Sequence, residues 1–193
     1  GLRRSYSSTM LMNWPASLGA GLATLLLWQI ATGLLLHVRY ASGGAVFDAL
    51  AVSARDLAIG SCSRHLHAGG ASALMVLVYS HMAIGLWHAA GSSVRRVWVS
   101  GWVLYLLGVG ASFTGYSLTG GQMSHWAITV ICSLVSAVPG VGQQLLVLLW
   151  GGSVVTAVSV LRLMTAHFLL PIVMAVVAIL HLALLHEGNS VWY

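Results

Sequence analysis

Two histidine pairs share one spacing. His67 and His81 lie 14 residues apart, and so do His167 and His181. At 3.6 residues per helical turn, 14 residues is just under four turns. Both members of a pair then face nearly the same way, about 21 Å apart along the axis. Two helices carrying such pairs and facing one another offer two histidine–histidine couples at two depths of a bundle. Neutral imidazole is a common metal ligand, and one imidazole on each axial position of an iron is a haem arrangement. A single histidine in an apolar helix is as readily a packed residue bonded to a neighbour. Two pairs at one spacing are harder to obtain by accident, and ionisable residues in apolar spans are functional candidates by default.

A second pattern has the same period. Gly19 and Gly33 are 14 apart, as are Gly101 and Gly115. Glycine exposes backbone and lets a flat object approach closely. Packing between membrane helices explains glycines too, but it leaves four histidines unpartnered in hydrocarbon. Two ligand helices and two clearance helices around two stacked haems explain all eight positions together. With both axial positions of each iron filled, the chemistry is electron transfer rather than oxygen binding. Haem propionates need cations or donors. Arg64, three residues before His67, and Arg162, five before His167, suit the outer haem; Trp98, three before Gly101, could offer its indole N–H near the inner one.

The elements that must position these residues are membrane spans. Of 193 residues, 59% are hydrophobic and 6% charged, against about 25% charged in an ordinary soluble domain. Eight arginines, three acids and no lysine cannot cover a soluble surface, and there is no basic patch to bind nucleic acid. Four stretches reach the ~20 apolar residues that cross a bilayer: about 17–38, 68–90, 97–118 and 163–185. Gly120-Gly121, Pro139-Gly140 and Gly151-Gly152 break the apolar segment between the last two spans into pieces too short to cross, Ser124 to Val138 and Gln143 to Leu149. These read as short helices lying in the interface or folded against the bundle. The fold class is therefore an all-α membrane protein, a four-helix bundle in a single domain over 1–193.

Arg3, Arg4, Arg95 and Arg96 fall on one side of the membrane; Arg39, Arg55, Arg64 and Arg162 fall on the other. Four against four gives no orientation by charge bias. Residues 1–13 lack the apolar run of a signal peptide and read as a short amphipathic surface helix. Cys62 and Cys132 read as buried thiols.

Several strings together resemble the N-terminal half of cytochrome b, the haem subunit of the cytochrome bc1 complex (respiratory complex III). They are Gln29-Ile30-Ala31-Thr32-Gly33-Leu34, Arg64-His65-Leu66-His67-Ala68-Gly69-Gly70-Ala71-Ser72, Gly115-Tyr116, Gly121-Gln122-Met123-Ser124, Trp150-Gly151-Gly152 and His181-Leu182-Ala183-Leu184-Leu185-His186-Glu187. The 14-residue spacing of His167 and His181 is similar to the mitochondrial and bacterial type; the photosynthetic type has one more residue between these ligands.

The resemblance implies roles. His67 and His167 would ligate the low-potential haem b near the outer face, and His81 and His181 the high-potential haem b near the inner face. Quinol would be oxidised at an outer site lined by Phe113, Met123, Ala127 and Ile131. One electron would go to a Rieske iron–sulfur protein. The other would cross both haems to reduce quinone at an inner site with His186 and Ser190, coupled to proton translocation. Implied partners are cytochrome c1, other complex III subunits, a second copy of the complex in a homodimer, and membrane lipid. The implied location is the mitochondrial inner membrane or a bacterial plasma membrane.

This chain departs from the family pattern at several points. Thr119-Gly120 stand where Pro-Trp is usual, Ala127 where glycine is, His125 where an aromatic residue is, and Ile84 where an arginine is. The family's C-terminal helices, with the acids of both quinone sites, do not follow the fourth span. The expectation is a haem-binding half that works with a separate C-terminal half or belongs to a longer chain. Two alternatives stand beside it: a di-haem membrane anchor of another dehydrogenase, and a degenerate bundle with structural histidines and no haem.

Overall fold

The computed structural model describes residues 14–38, 55, 60–88, 95–152 and 154–187. Among them every regular element is helical: α1 (Trp14–His37), α2 (Gly60–His88), α3 (Arg95–Ser117), α4 (Gln122–Ser136), α5 (Gly142–Trp150) and α6 (Ala157–Glu187). The short amphipathic surface helix expected over 1–13 lies outside the described residues.

Four of the helices are long and apolar enough to cross a membrane: Ser17–His37, Gly60–Trp87, Arg95–Ser117 and Ala157–Glu187. The chain is a multi-pass membrane protein of the all-α class. Two helices begin earlier than their apolar runs. α2 starts at Gly60 rather than near 68 because polar side chains fold back on the helix's own carbonyls. Ser63 Oγ donates to the Gly60 carbonyl at 3.1 Å, and His65 Nδ1 lies 2.7 Å from the Ser61 carbonyl. α6 starts at Ala157 rather than near 163 because Ser159 caps it. Its Oγ accepts the Thr156 N–H at 3.0 Å, half of a capping box, and donates to the Trp150 carbonyl at 2.7 Å.

The breaks between α3 and α6 are where the glycines put them. Gly120, Gly140 and Gly151 have φ of 69°, 80° and 83°, a left-handed conformation that other residues adopt at a cost. Gly151 ends α5 in that conformation and sends the chain back into α6. α4 and α5 fold as a short apolar hairpin over one end of α3 and α6. There they bury Leu118, Ile128, Leu146, Trp150 and Leu163 together.

The spans associate as two pairs. α1 lies along α2, and α3 lies along α6; contact between the two pairs is sparse. Leu27, Leu35, Val76, Leu106, Val176 and Ile179 point outward, each more than half exposed, the arrangement expected of helices whose outer solvent is lipid. The residues buried within the spans are largely small or polar: Thr32, Ser63, Ser100, Thr114 and Ser159. Cys132 is half-buried, but Cys62 is exposed on the first turn of α2 rather than buried, and both thiols are free.

Candidate metal centre

The packing of each pair sets one glycine against one histidine, four times over. On α1, a Cβ placed at Gly33 would meet His67 Cε1 at 3.2 Å, and one at Gly19 would meet His81 Cε1 at 3.8 Å. On α3, a Cβ at Gly115 would meet His167 Cε1 at 2.6 Å, and one at Gly101 would meet His181 Cε1 at 3.3 Å. The glycines thus clear space for imidazole rings. A side chain at any of these positions would press on a ring edge.

The rings converge across the seam between the pairs. His67 and His167 have centroids 6.1 Å apart and planes at 84°. At the other level His81 stands against Gly19 and His181 against Gly101. A metal held at about 2 Å from one nitrogen of each of two imidazoles sets their centroids about 6 Å apart, so the outer couple matches that span. Among the described residues no group of three or more His, Cys, Asp or Glu could hold a metal ion. The donor set is two imidazoles per level. It suits a metal that arrives with its other ligands in place, which is what a porphyrin supplies.

Hydroxyls buried beside the glycines touch three of the four rings. Thr32 Oγ1 lies 2.9 Å from His67 Nδ1, Ser100 Oγ 2.8 Å from His181 Nδ1 and Thr114 Oγ1 3.2 Å from His167 Nδ1. His167 Nδ1 also donates to the Ala111 carbonyl at 3.0 Å. Gln29 joins α1 to α2 at the same level, donating from Nε2 to the His67 carbonyl at 2.9 Å. The spacing argument, which followed histidine and glycine, passed over these four polar residues. The signal was nevertheless present: three of them immediately precede a glycine of the repeat, in Thr32-Gly33, Ser100-Gly101 and Thr114-Gly115.

The other residues singled out from the sequence are more dispersed. Arg64 is exposed on the first turns of α2. Arg162 is engaged elsewhere: Nη1 donates to the Val147 and Leu148 carbonyls, both at 2.6 Å, at the end of α5. Nη1 carries two of the five guanidinium N–H groups, so three are left for another acceptor. The Trp98 ring lies against Gly85 of α2, one turn beyond His81. Phe113 and Ile131 each pack against the apolar cluster formed by Leu118, Ile128, Leu146, Trp150 and Leu163. Ala127 is half-buried, and Met123 points outward, 75% exposed. His186 is exposed near the end of α6, its Nδ1 donating to the Leu182 carbonyl at 2.7 Å. Ser190 lies outside the described residues.

The chain is similar to known proteins over most of its length. The family model for "Cytochrome b/b6/petB" matches residues 3–189. Cytochrome b of Vanderwaltozyma polyspora is 36% identical over 181 residues, covering 93% of this chain and 46% of the relative. Cytochrome b of Yarrowia lipolytica is 38% identical over 181 residues, with 93% and 47% covered. The chain spans about half the length of the curated relatives it matches. Among solved structures, a chain of a "Hyperthermophilic respiratory Complex III" superposes with a TM-score of 0.81 at 28% identity, covering 91% of this chain and 48% of that one.

Proposed function

This chain belongs to the cytochrome b family, and on that premise we propose that it is the haem-binding half of an electron-transferring subunit of quinol–cytochrome c oxidoreductase. His67 and His167 would hold an outer haem b, and His81 and His181 an inner one. When bound, the two haems supply reversible one-electron couples at two depths, linking quinol oxidation at the outer face to quinone reduction at the inner face.

The chain's own residues position and shield. Two histidines at each level would hold each haem and leave its iron no open site for oxygen. Gly19, Gly33, Gly101 and Gly115 keep the seam free of side chains. Arg64, and Arg162 through its remaining N–H groups, would answer propionates at the outer face, with Trp98 at the inner. Phe113, Met123, Ala127 and Ile131 would line the outer quinone site; His186 and Ser190 would contact quinone at the inner one. Partners under this reading are a C-terminal cytochrome b half, as a separate chain or as the rest of a longer one, with the iron–sulfur protein, cytochrome c1, other complex III subunits and a second copy of the complex. The assembly would sit in the mitochondrial inner membrane or a bacterial plasma membrane.

The observation that carries this reading is the His67–His167 couple at 6.1 Å, backed on each side by a glycine. A redox-poised, reduced-minus-oxidised optical spectrum of the purified membrane protein tests it. The expected result is two b-type haems with distinct midpoint potentials. A chain that binds no haem would leave the histidines as structural residues and end the proposal.

A further inference from the structure

We propose that Ser100 and Thr114 of α3, with Thr32 of α1, are positioning residues that fix the tautomer of three haem ligands and lower the potential of the haem each ligand holds. The proposal rests on the haem reading above.

A hydroxyl has one proton, and helix geometry determines where it goes. Thr114 Oγ1 lies 2.9 Å from the Gly110 carbonyl and 3.0 Å from the Ala111 carbonyl; Ser100 Oγ lies 2.9 Å from the Val97 carbonyl; Thr32 Oγ1 lies 2.8 Å from the Trp28 carbonyl. If the hydroxyl turned its proton to the ring instead, two bare oxygen lone pairs would face each other at under 3 Å. The proton therefore goes to the carbonyl, and a lone pair faces the ring. An imidazole Nδ1 that meets an oxygen lone pair at hydrogen-bond distance must carry the hydrogen. For His167 this is established twice, because the Ala111 carbonyl, which can only accept, lies 3.0 Å from the same Nδ1.

A neutral ring with Nδ1–H has its free lone pair on Nε2. The three hydroxyls thus hold His67, His167 and His181 with one nitrogen anchored to the bundle and the other presented for iron. Hydrogen bonding of the outer nitrogen also makes an axial imidazole a stronger donor, which stabilises the oxidised iron and lowers its potential.

The device is uneven between the levels. At the outer level both ligands have a hydroxyl, Thr32 and Thr114. At the inner level His181 has Ser100, but the residue before Gly19 is Leu18, which has no side-chain oxygen to give His81. Among the described residues the count is therefore two hydroxyls at the outer level and one at the inner.

The test is a redox titration of both haems in the assembled complex, with low-temperature EPR of each ferric haem and haem content by pyridine haemochrome. Thr114→Val keeps the shape and removes the oxygen. Because the Ala111 carbonyl still accepts from Nδ1, it should raise the midpoint potential of the outer haem by up to a tenfold change in its one-electron equilibrium, about 59 mV, with the inner haem unmoved. Thr114→Ser should restore the parent value. Ser100→Ala should do the same to the inner haem alone, with rescue by Ser100→Thr. Loss of only the outer haem in Thr114→Val, with retention in Thr114→Ser, supports the assignment equally. The assignment is overturned if the valine and serine variants behave alike, or if both haems shift together. Absence of haem from the unaltered protein would remove the parent reading itself, which separates the two failures.

Discussion

A Cβ at position 115 would lie 2.6 Å from Cε1 of His167, a ring that cannot swing away without giving up its bonds to Ala111 and Thr114. The four glycine–histidine contacts therefore form a graded series. Alanine at Gly115 should expel the outer haem or leave it at well under half occupancy. Alanine at Gly33 or Gly101, at 3.2 and 3.3 Å, should be intermediate. Alanine at Gly19, where 3.8 Å is ordinary contact, should be tolerated. Haem-to-protein ratios in the four variants give the order directly. Equal losses at all four positions would contradict the contact argument.

The histidines should separate by level. His81→Ala is expected to abolish the inner haem while sparing the outer, and His67→Ala the reverse. Resolving the two α-bands in a redox titration distinguishes them. A variant that keeps both haems would refute the ligand assignment at that position.

Ser159 is fully buried and bridges two helices. Its Oγ accepts from Thr156 and donates to the Trp150 carbonyl. Ser159→Ala removes both bonds and strands buried backbone groups, a cost of about 2 kcal/mol. Thermal unfolding in detergent should show a lowered midpoint. Unchanged melting would mean that the α5–α6 junction draws its stability from packing alone.

Ala127 adds a methyl where the family usually has glycine. Inhibitors of the outer quinone site that lie flat against that glycine should bind this protein weakly. Ala127→Gly should increase sensitivity by about tenfold or more, since one methyl's worth of space in an apolar pocket decides about 10–200-fold. Full inhibitor sensitivity of the unaltered protein would count against it.

Much of this arrangement was legible as spacing. His67, His81, His167 and His181, with their four glycines, announced two levels because a helix converts sequence distance into depth and direction. The glycine breaks at 120, 140 and 151 marked the hairpin of α4 and α5 for the same local reason. Helix starts were less legible: polar Gly60 to His65 and the turn at Thr156 hide their helical state behind hydrogen bonds that no hydropathy count contains. Thr32, Ser100 and Thr114 escaped because mid-helix hydroxyls are common, and only a ring arriving from another helix makes one special. Arg162 adds a contact that spacing does not contain: its Nη1 is bonded to the end of α5, and its other N–H groups are left for the propionate that a cation beside a ligand suggests.

The glycine–histidine repeat also constrains how the helices wind. A straight helix advances about 100° per residue, so residues 14 apart drift by about 40° around it. Yet on both pairs the contact is kept at both levels. Fourteen is two heptads, and a heptad seam stays inward only when helices coil about each other with a left-handed twist at 3.5 residues per turn. The repeat is thus also a supercoil instruction. Inserting one residue between His167 and His181 would rotate the lower half of α6 by about 100° and demand a different winding to bring both rings back to the seam.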